Sequence, residues 1–137
     1  MKKLIIATVL FLIAGSVFSQ NFQKGNLLGV HHITVTLDPD VSMNQFLDAI
    51  NTLWIPAIEK LWSGSKLYII KGIRGEQENG YGILYQFETE ADRDKYFKED
   101  GTLTDEGNAN VEKMTPVNEK MDKLGNWSSA YTDWLIL

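Results

Sequence analysis

Two imidazoles stand side by side in this chain, His31 and His32, and they are its only histidines. Histidine ionises nearest neutrality, so an acid, a base or a metal ligand is sought here first. Both fall in the run from Val30 to Leu37, where Ile33, Val35 and Leu37 alternate with His32, Thr34 and Thr36. That two-residue period predicts a strand. Adjacent residues on a strand point to opposite faces, so the two rings cannot clamp one metal ion within a protomer. By parity His31 shares the apolar row and His32 the polar lane of Thr34 and Thr36. If the apolar row faces helices, His32 faces the open side of the sheet. The bland alternative is that His31 starts the strand near its solvated end and His32 hydrogen-bonds a neighbour.

Other patterns carry less chemistry. The chain has no cysteine, which excludes disulfides, thiolate zinc sites, iron–sulfur clusters and a cysteine nucleophile. Asp38, Asp40 and Ser42 have a calcium-like rhythm, but the turn glycine and closing glutamate of such a loop are missing, so they read as strand breaker and helix cap. Glu88, Glu90, Asp92 and Asp94 lie at a predicted helix start, where the helix dipole favours carboxylates. Gly72, Gly75, Gly80 and Gly82 lack the lysine-serine ending of a phosphate loop and the spacing of a dinucleotide fold. Ser63-Gly64-Ser65 reads as a turn, not a nucleophile elbow. No metal and no cofactor is expected.

The elements that position these residues can be read in order. Ser42, with Gln45 three residues on, opens a helix by a capping box. Phe46, Leu47, Ile50, Leu53, Trp54, Ala57, Ile58 and Leu61 recur at helical spacing, with a kink or break expected at Pro56 and an end at Gly64. Lys66 to Arg74 and Tyr81 to Phe87 read as a hairpin across a polar loop. Thr89 caps a short helix containing Tyr96 and Phe97, and Thr104 caps a sparse amphipathic stretch with a restart at Thr115-Pro116. Trp127 to Leu137 reads as a last strand. The order β-α-β-β-α-β predicts an α+β, ferredoxin-like fold: a four-stranded antiparallel sheet with helices on one face.

The 137 residues divide as 1–19, 20–29 and 30–137. Lys2 and Lys3, an apolar run from Leu4 to Ala14, and the small-residue approach to Ser19 have the layout of a secretory signal. The apolar core is shorter than the ~20 residues that span a bilayer. A secreted or periplasmic protein without a membrane anchor is therefore expected. Residues 20–29 form a polar lead-in, and 30–137 form the one domain. Acidic side chains outnumber basic ones, 18 to 13, for a net charge of −5. That balance, with scattered lysines, disfavours nucleic acid and anionic membranes as partners.

A sheet covered on one side leaves a second face. Carrying Tyr68, Tyr81, Tyr85, Trp127, Tyr131 and Trp134, this sheet has much apolar area to leave wet, and a homodimer is the economical way to cover it. His32-Ile33-Thr34-Val35-Thr36-Leu37, Gly80 to Thr89 and Asp94-Lys95-Tyr96-Phe97 resemble the stress-responsive dimeric α/β-barrel family over roughly Val30 to Gly101. The resemblance implies a homodimer whose two sheets close into a barrel with an interior cavity. Its wider superfamily includes cofactor-free monooxygenases, polyketide cyclases and haem-degrading enzymes. It assigns the family histidine to His32 and the family tyrosine to Tyr96. The second histidine of cyclase-type members is missing, since Lys98, Glu99, Asp100 and Gly101 follow the tyrosine.

The expected function is binding of a small apolar or aromatic molecule in a barrel cavity lined by His32, Thr34, Tyr68, Tyr85 and Trp134. An enzymatic version adds proton transfer by His32 and Tyr96, as in a cofactor-free monooxygenase-like or cyclase-like reaction. A third class, a non-catalytic interaction module, would fill the barrel with its own side chains. Composition and spacing do not separate these three.

Overall fold

A computed structural model describes residues 22–137, and the signal segment expected at residues 1–19 lies outside the described residues. Four strands, β1 (Leu27–Leu37), β2 (Ser65–Lys71), β3 (Tyr81–Phe87) and β4 (Gly125–Leu135), form one antiparallel sheet in the order β2-β3-β1-β4. Between β1 and β2 run α1 (Met43–Ala49), a π-helical turn (Ile50–Trp54) and α2 (Ile55–Leu61); between β3 and β4 run α3 (Glu90–Asp94), α4 (Asp105–Lys113) and α5 (Thr115–Met121). This is the ferredoxin-like arrangement. One helical crossover follows β1 and the other follows β3, and both pack on the same side of the sheet. None of the helices among the described residues is long and apolar enough to cross a membrane.

The pleat sets the two faces. Residues paired across antiparallel strands share a side, so Leu27, Gly29, His31, Ile33, Val35 and Leu37 of β1 lie with Ile83, Tyr85 and Phe87 of β3 and with Trp127, Ser129, Tyr131 and Asp133 of β4. This side meets the helices. Its buried core joins Leu67, Ile83, Tyr85 and Phe87 to Phe46, Ile50, Trp54, Ile58 and Trp62 of the first crossover and to Met114 and Met121 of the second. Leu28, Val30, His32, Thr34 and Thr36 point the other way, with Tyr68, Leu84 and Trp134.

β1 begins at Leu27, three residues before the expected Val30. Leu27 pairs with both Phe87 and Leu135 and is buried, and the Asn26 amide just ahead donates to the Glu88 carbonyl at 3.0 Å. His31 therefore lies mid-strand, not at a solvated end. α1 starts as its capping box dictates: Ser42 Oγ accepts from the Gln45 backbone N–H at 3.3 Å, and Gln45 Oε1 accepts from the Ser42 N–H at 2.9 Å. At Pro56 the chain neither breaks nor restarts at a loop. The helix widens one turn earlier, the Ile55 N–H reaching back five residues to Ile50 O, and Pro56 then occupies the first turn of α2, where its missing N–H is harmless.

Phe46 is fully buried and Ser42 is exposed. Urea denaturation should therefore find Phe46→Ala destabilised by about 3–5 kcal/mol and Ser42→Ala by about 1 kcal/mol. Small losses at both sites would mean that α1 is not docked on the sheet.

Candidate functional site

The pairing Gly29↔Asp133, His31↔Tyr131, Ile33↔Ser129 on one side of β1, with Gly29↔Tyr85 and His31↔Ile83 on the other, gathers a polar and aromatic patch on the helix side of the sheet. The His31 ring is at its centre. It stacks on Tyr131 with centroids 4.9 Å apart and planes 13° from parallel, and Tyr85 lies 4.3 Å away on a tilted plane. His31 Nδ1 is 3.4 Å from Ser129 Oγ.

The first crossover supplies the opposite wall. Trp54 closes the π-helical turn and Trp62 follows α2, and Trp54 meets Trp127 edge-on at 5.2 Å. Phe97, beyond the end of α3, packs edge-on against Trp62 at 5.0 Å. Between these rings and the sheet lies a cavity of about 150 Å³ lined by His31, Ser129, Tyr85, Ile83, Phe97 and the indoles of Trp54, Trp62 and Trp127. A smaller space of about 40 Å³ shares His31, Tyr85 and Phe97 with it and is bounded by Arg93, Tyr131 and Asp133. On the far side the three indoles also border a groove of about 420 Å³ that runs on to Met114 and Met121.

Electrostatics follows from burial. Loss of solvent pushes the His31 imidazole from its ordinary 6.5 to about 4, so the ring is neutral at physiological pH. Burial also raises the Tyr85 phenol, which stays protonated. Arg93 donates from Nη1 to Asp133 Oδ2 and from Nε to Asp94 Oδ1, each at 2.7 Å. Burial still holds the Asp133 carboxyl above its usual value, outweighing the Arg93 attraction, with Asp94 adding to the rise. A cavity with the volume of one aromatic ring, walled by π-faces and carrying a neutral imidazole and a hydroxyl, can stack a planar ring and hydrogen-bond its substituent. As a base, an imidazole held near 4 has little driving force at neutral pH.

The structure divides the residues expected from sequence. His32, Thr34, Tyr68 and Trp134 share the open face, His32 sitting across from the small residues Gly82 and Ala130. Tyr85, expected with them, is on the helix side, because it pairs with Gly29 and Leu67. Tyr96, expected to assist His32, also lies on the helix side of the sheet. It is 1% exposed, stacked on Trp62 at 5.8 Å, with its hydroxyl 3.0 Å from Ser63 Oγ. α3 ends at Asp94, so Tyr96 falls beyond it and inserts into the core. His32 and Tyr96 are not brought together. None of the three spaces above is lined by His32. Sequence reasoning counted Tyr131 among the sheet aromatics but not among the site residues, and it did not single out Ser129, Asp133, Arg93 or Gly29. Period-two reading of β4 from Gly125 puts Trp127, Ser129, Tyr131 and Asp133 on one face, and that signal was available.

No protein-family model matches the chain, and no curated protein matches it. Among solved structures it is similar to a dimeric protein of unknown function and ferredoxin-like fold from Bacteroides fragilis NCTC 9343, at 15% identity over 84% of this chain and 100% of that one, with a TM-score of 0.43.

His31 links the site to stability. Between pH 6.5 and about 4 the unfolded chain takes up a proton that the folded chain refuses, so folding stability falls as pH drops through that window. Because the ring retains partial solvent access, the expected loss is about 1–2 kcal/mol. Urea titrations at pH 7 and pH 4 should show that His31→Leu loses less stability than wild type over this interval. Equal losses would mean that His31 is not buried.

Proposed function

We propose that the protein binds a small aromatic molecule between its sheet and its helices, with the ring in the 150 Å³ cavity and neutral His31 as the polar anchor. The observation that carries this reading is the coincidence of one-ring volume, a wall of Trp54, Trp62, Trp127, Tyr85 and Phe97, and an imidazole that burial keeps uncharged. Binding is favoured over proton transfer because His31 is a weak base at neutral pH and the His32–Tyr96 pair of the enzymatic version is split by the sheet. Export by a leader at residues 1–19 completes the proposal: the chain samples a ligand outside the cytoplasm.

The open face supports a second copy as partner. It carries Leu28, Val30, Tyr68, Ile70 and Leu84, and Trp134 is 60% exposed there, an apolar patch of the kind that marks an interface. The resemblance of His32 to Leu37, Gly80 to Thr89 and Asp94 to Phe97 to the stress-responsive dimeric α/β-barrel family points the same way. In such a dimer His32 and Thr34 lie between the sheets.

A thermal-shift screen with benzyl alcohol, phenol and indole tests the ligand reading. At a ligand concentration ~100-fold above Kd, about 2.7 kcal/mol of stabilisation should raise Tm by several degrees. The shift should vanish in folded His31→Leu and persist in His32→Ala. A shift that depends on His32 and not on His31 would move the site to the open face. Sedimentation of wild type and Trp134→Glu checks the partner: a dimer that dissociates in the variant is expected, and a monomeric wild type contradicts it.

A further inference from the structure

We propose that the free edge of β4 is a docking site for an extended, basic peptide segment of another protein, which joins the sheet as a further strand. In the sheet order β4 has a neighbour on one side only, β1. The hydrogen bonds at the two ends of that ladder show which backbone groups of β4 are left over. The Asp38 N–H donates to Leu124 O at 3.1 Å, and the Ile136 N–H donates to Asn26 O at 3.0 Å. Such bonds recur at every second residue of an antiparallel pair, so Asn126, Ser128, Ala130, Thr132 and Trp134 bond to β1. Trp127, Ser129, Tyr131 and Asp133 therefore turn their N–H and C=O groups outward. Among the described residues no turn, cap or neighbouring strand takes them up.

An open edge invites pairing, and proteins guard it with short strands, lysines, prolines or bulges. β2, the opposite edge, is guarded: it has seven residues and carries Lys66 and Lys71. β4 is not. Its eleven residues include no lysine, arginine or proline, and its unbroken register with β1 leaves no bulge. Ser128 to Thr132 are exposed throughout. Backbone donors and acceptors repeating along a strand select an extended polypeptide, and the side chains beside them select which one. A residue paired with Asp133 places its side chain on the same side as that carboxylate. Arg93 is shared there between Asp133 and Asp94, at 2.7 Å from each, which leaves one surplus negative charge. The exposed Tyr131 ring adds a π-face for a cation. With the whole chain at −5, a segment bearing lysine or arginine is favoured over an acidic one.

Amide hydrogen exchange followed by NMR, with a blocked heptapeptide of alternating valine and lysine as the probe, tests the inference. In the free protein the inward amides of Ser128, Ala130 and Thr132 should exchange slowly, and the outward amides of Ser129, Tyr131 and Asp133 fast. At a peptide concentration ~10-fold above Kd the outward set should slow about tenfold while the inward set is unchanged. The valine–glutamate counterpart should bind about tenfold more weakly. Ser129→Pro removes one outward N–H, a change that strand edges tolerate. It should abolish the slowing at Tyr131 while the inward amides stay protected. Outward amides that slow with neither peptide overturn the docking site, and equal or tighter binding of the glutamate peptide overturns its basic character. Outward amides already slow in the free protein, and released by Ser129→Pro, would give the edge to a second copy and overturn the proposal.

Discussion

The pleat of β1 sends His31 under the helices and His32 to the opposite side, and the burial of the apolar row around His31 holds that parity in place. A slip of one residue in the pairing would turn Leu27, Ile33, Val35 and Leu37 out of the core and bring Thr34 and Thr36 into it. β1 is central, bonded along its whole length to β4 and over its first half to β3, so its register fixes theirs. Tyr131, Ser129 and Asp133 therefore arrive around His31 from the far end of the chain. Gly29 follows from the same constraint: as a strand residue on the crowded face, it leaves room for Asp133 and Tyr85 to lean over it.

What surrounds the ring then decides its state. Tyr85 and Tyr131 pack on the imidazole at 4.3 and 4.9 Å, and desolvation by burial keeps it neutral without any charged neighbour being needed. Trp54 reaches the cavity wall because the helix widens before Pro56, a proline that would otherwise clash with the preceding turn. Edge-on contacts such as Trp54 with Trp127 and Trp62 with Phe97 each add about 0.5–1.5 kcal/mol beyond area burial, so the cavity walls are also part of the core. A ligand site built into the core in this way shares its indole walls with the groove toward Met114 and Met121, and shares His31, Tyr85 and Phe97 with the space bounded by Arg93 and Asp133.

Much of this frame was legible in the residues. The alternation from Ile33 to Leu37, the caps at Ser42, Thr89 and Thr104, and the restart at Pro116 all recur as elements, because each rests on local hydrogen bonding or a short period. The opposite facing of the two histidines was legible for the same reason. The π-helical turn was not: apolar spacing looks alike in α and π turns, and only the Ile55 to Ile50 hydrogen bond separates them. Nor was the choice between His31 and His32 as the enclosed ring, which depends on Tyr131 and Ser129 meeting β1 across almost a hundred residues of chain. Tyr96 was misplaced by the length of α3, which stops after five residues and lets the chain turn inward.

The most direct test follows the two imidazoles at once by NMR during titration with benzyl alcohol, the ring signals assigned with a His32→Gln variant. Shifts in the His31 ring protons, with those of His32 unmoved, are the expected result for a ligand held between sheet and helices. Shifts confined to His32 would contradict it and put the ligand on the open face of the sheet.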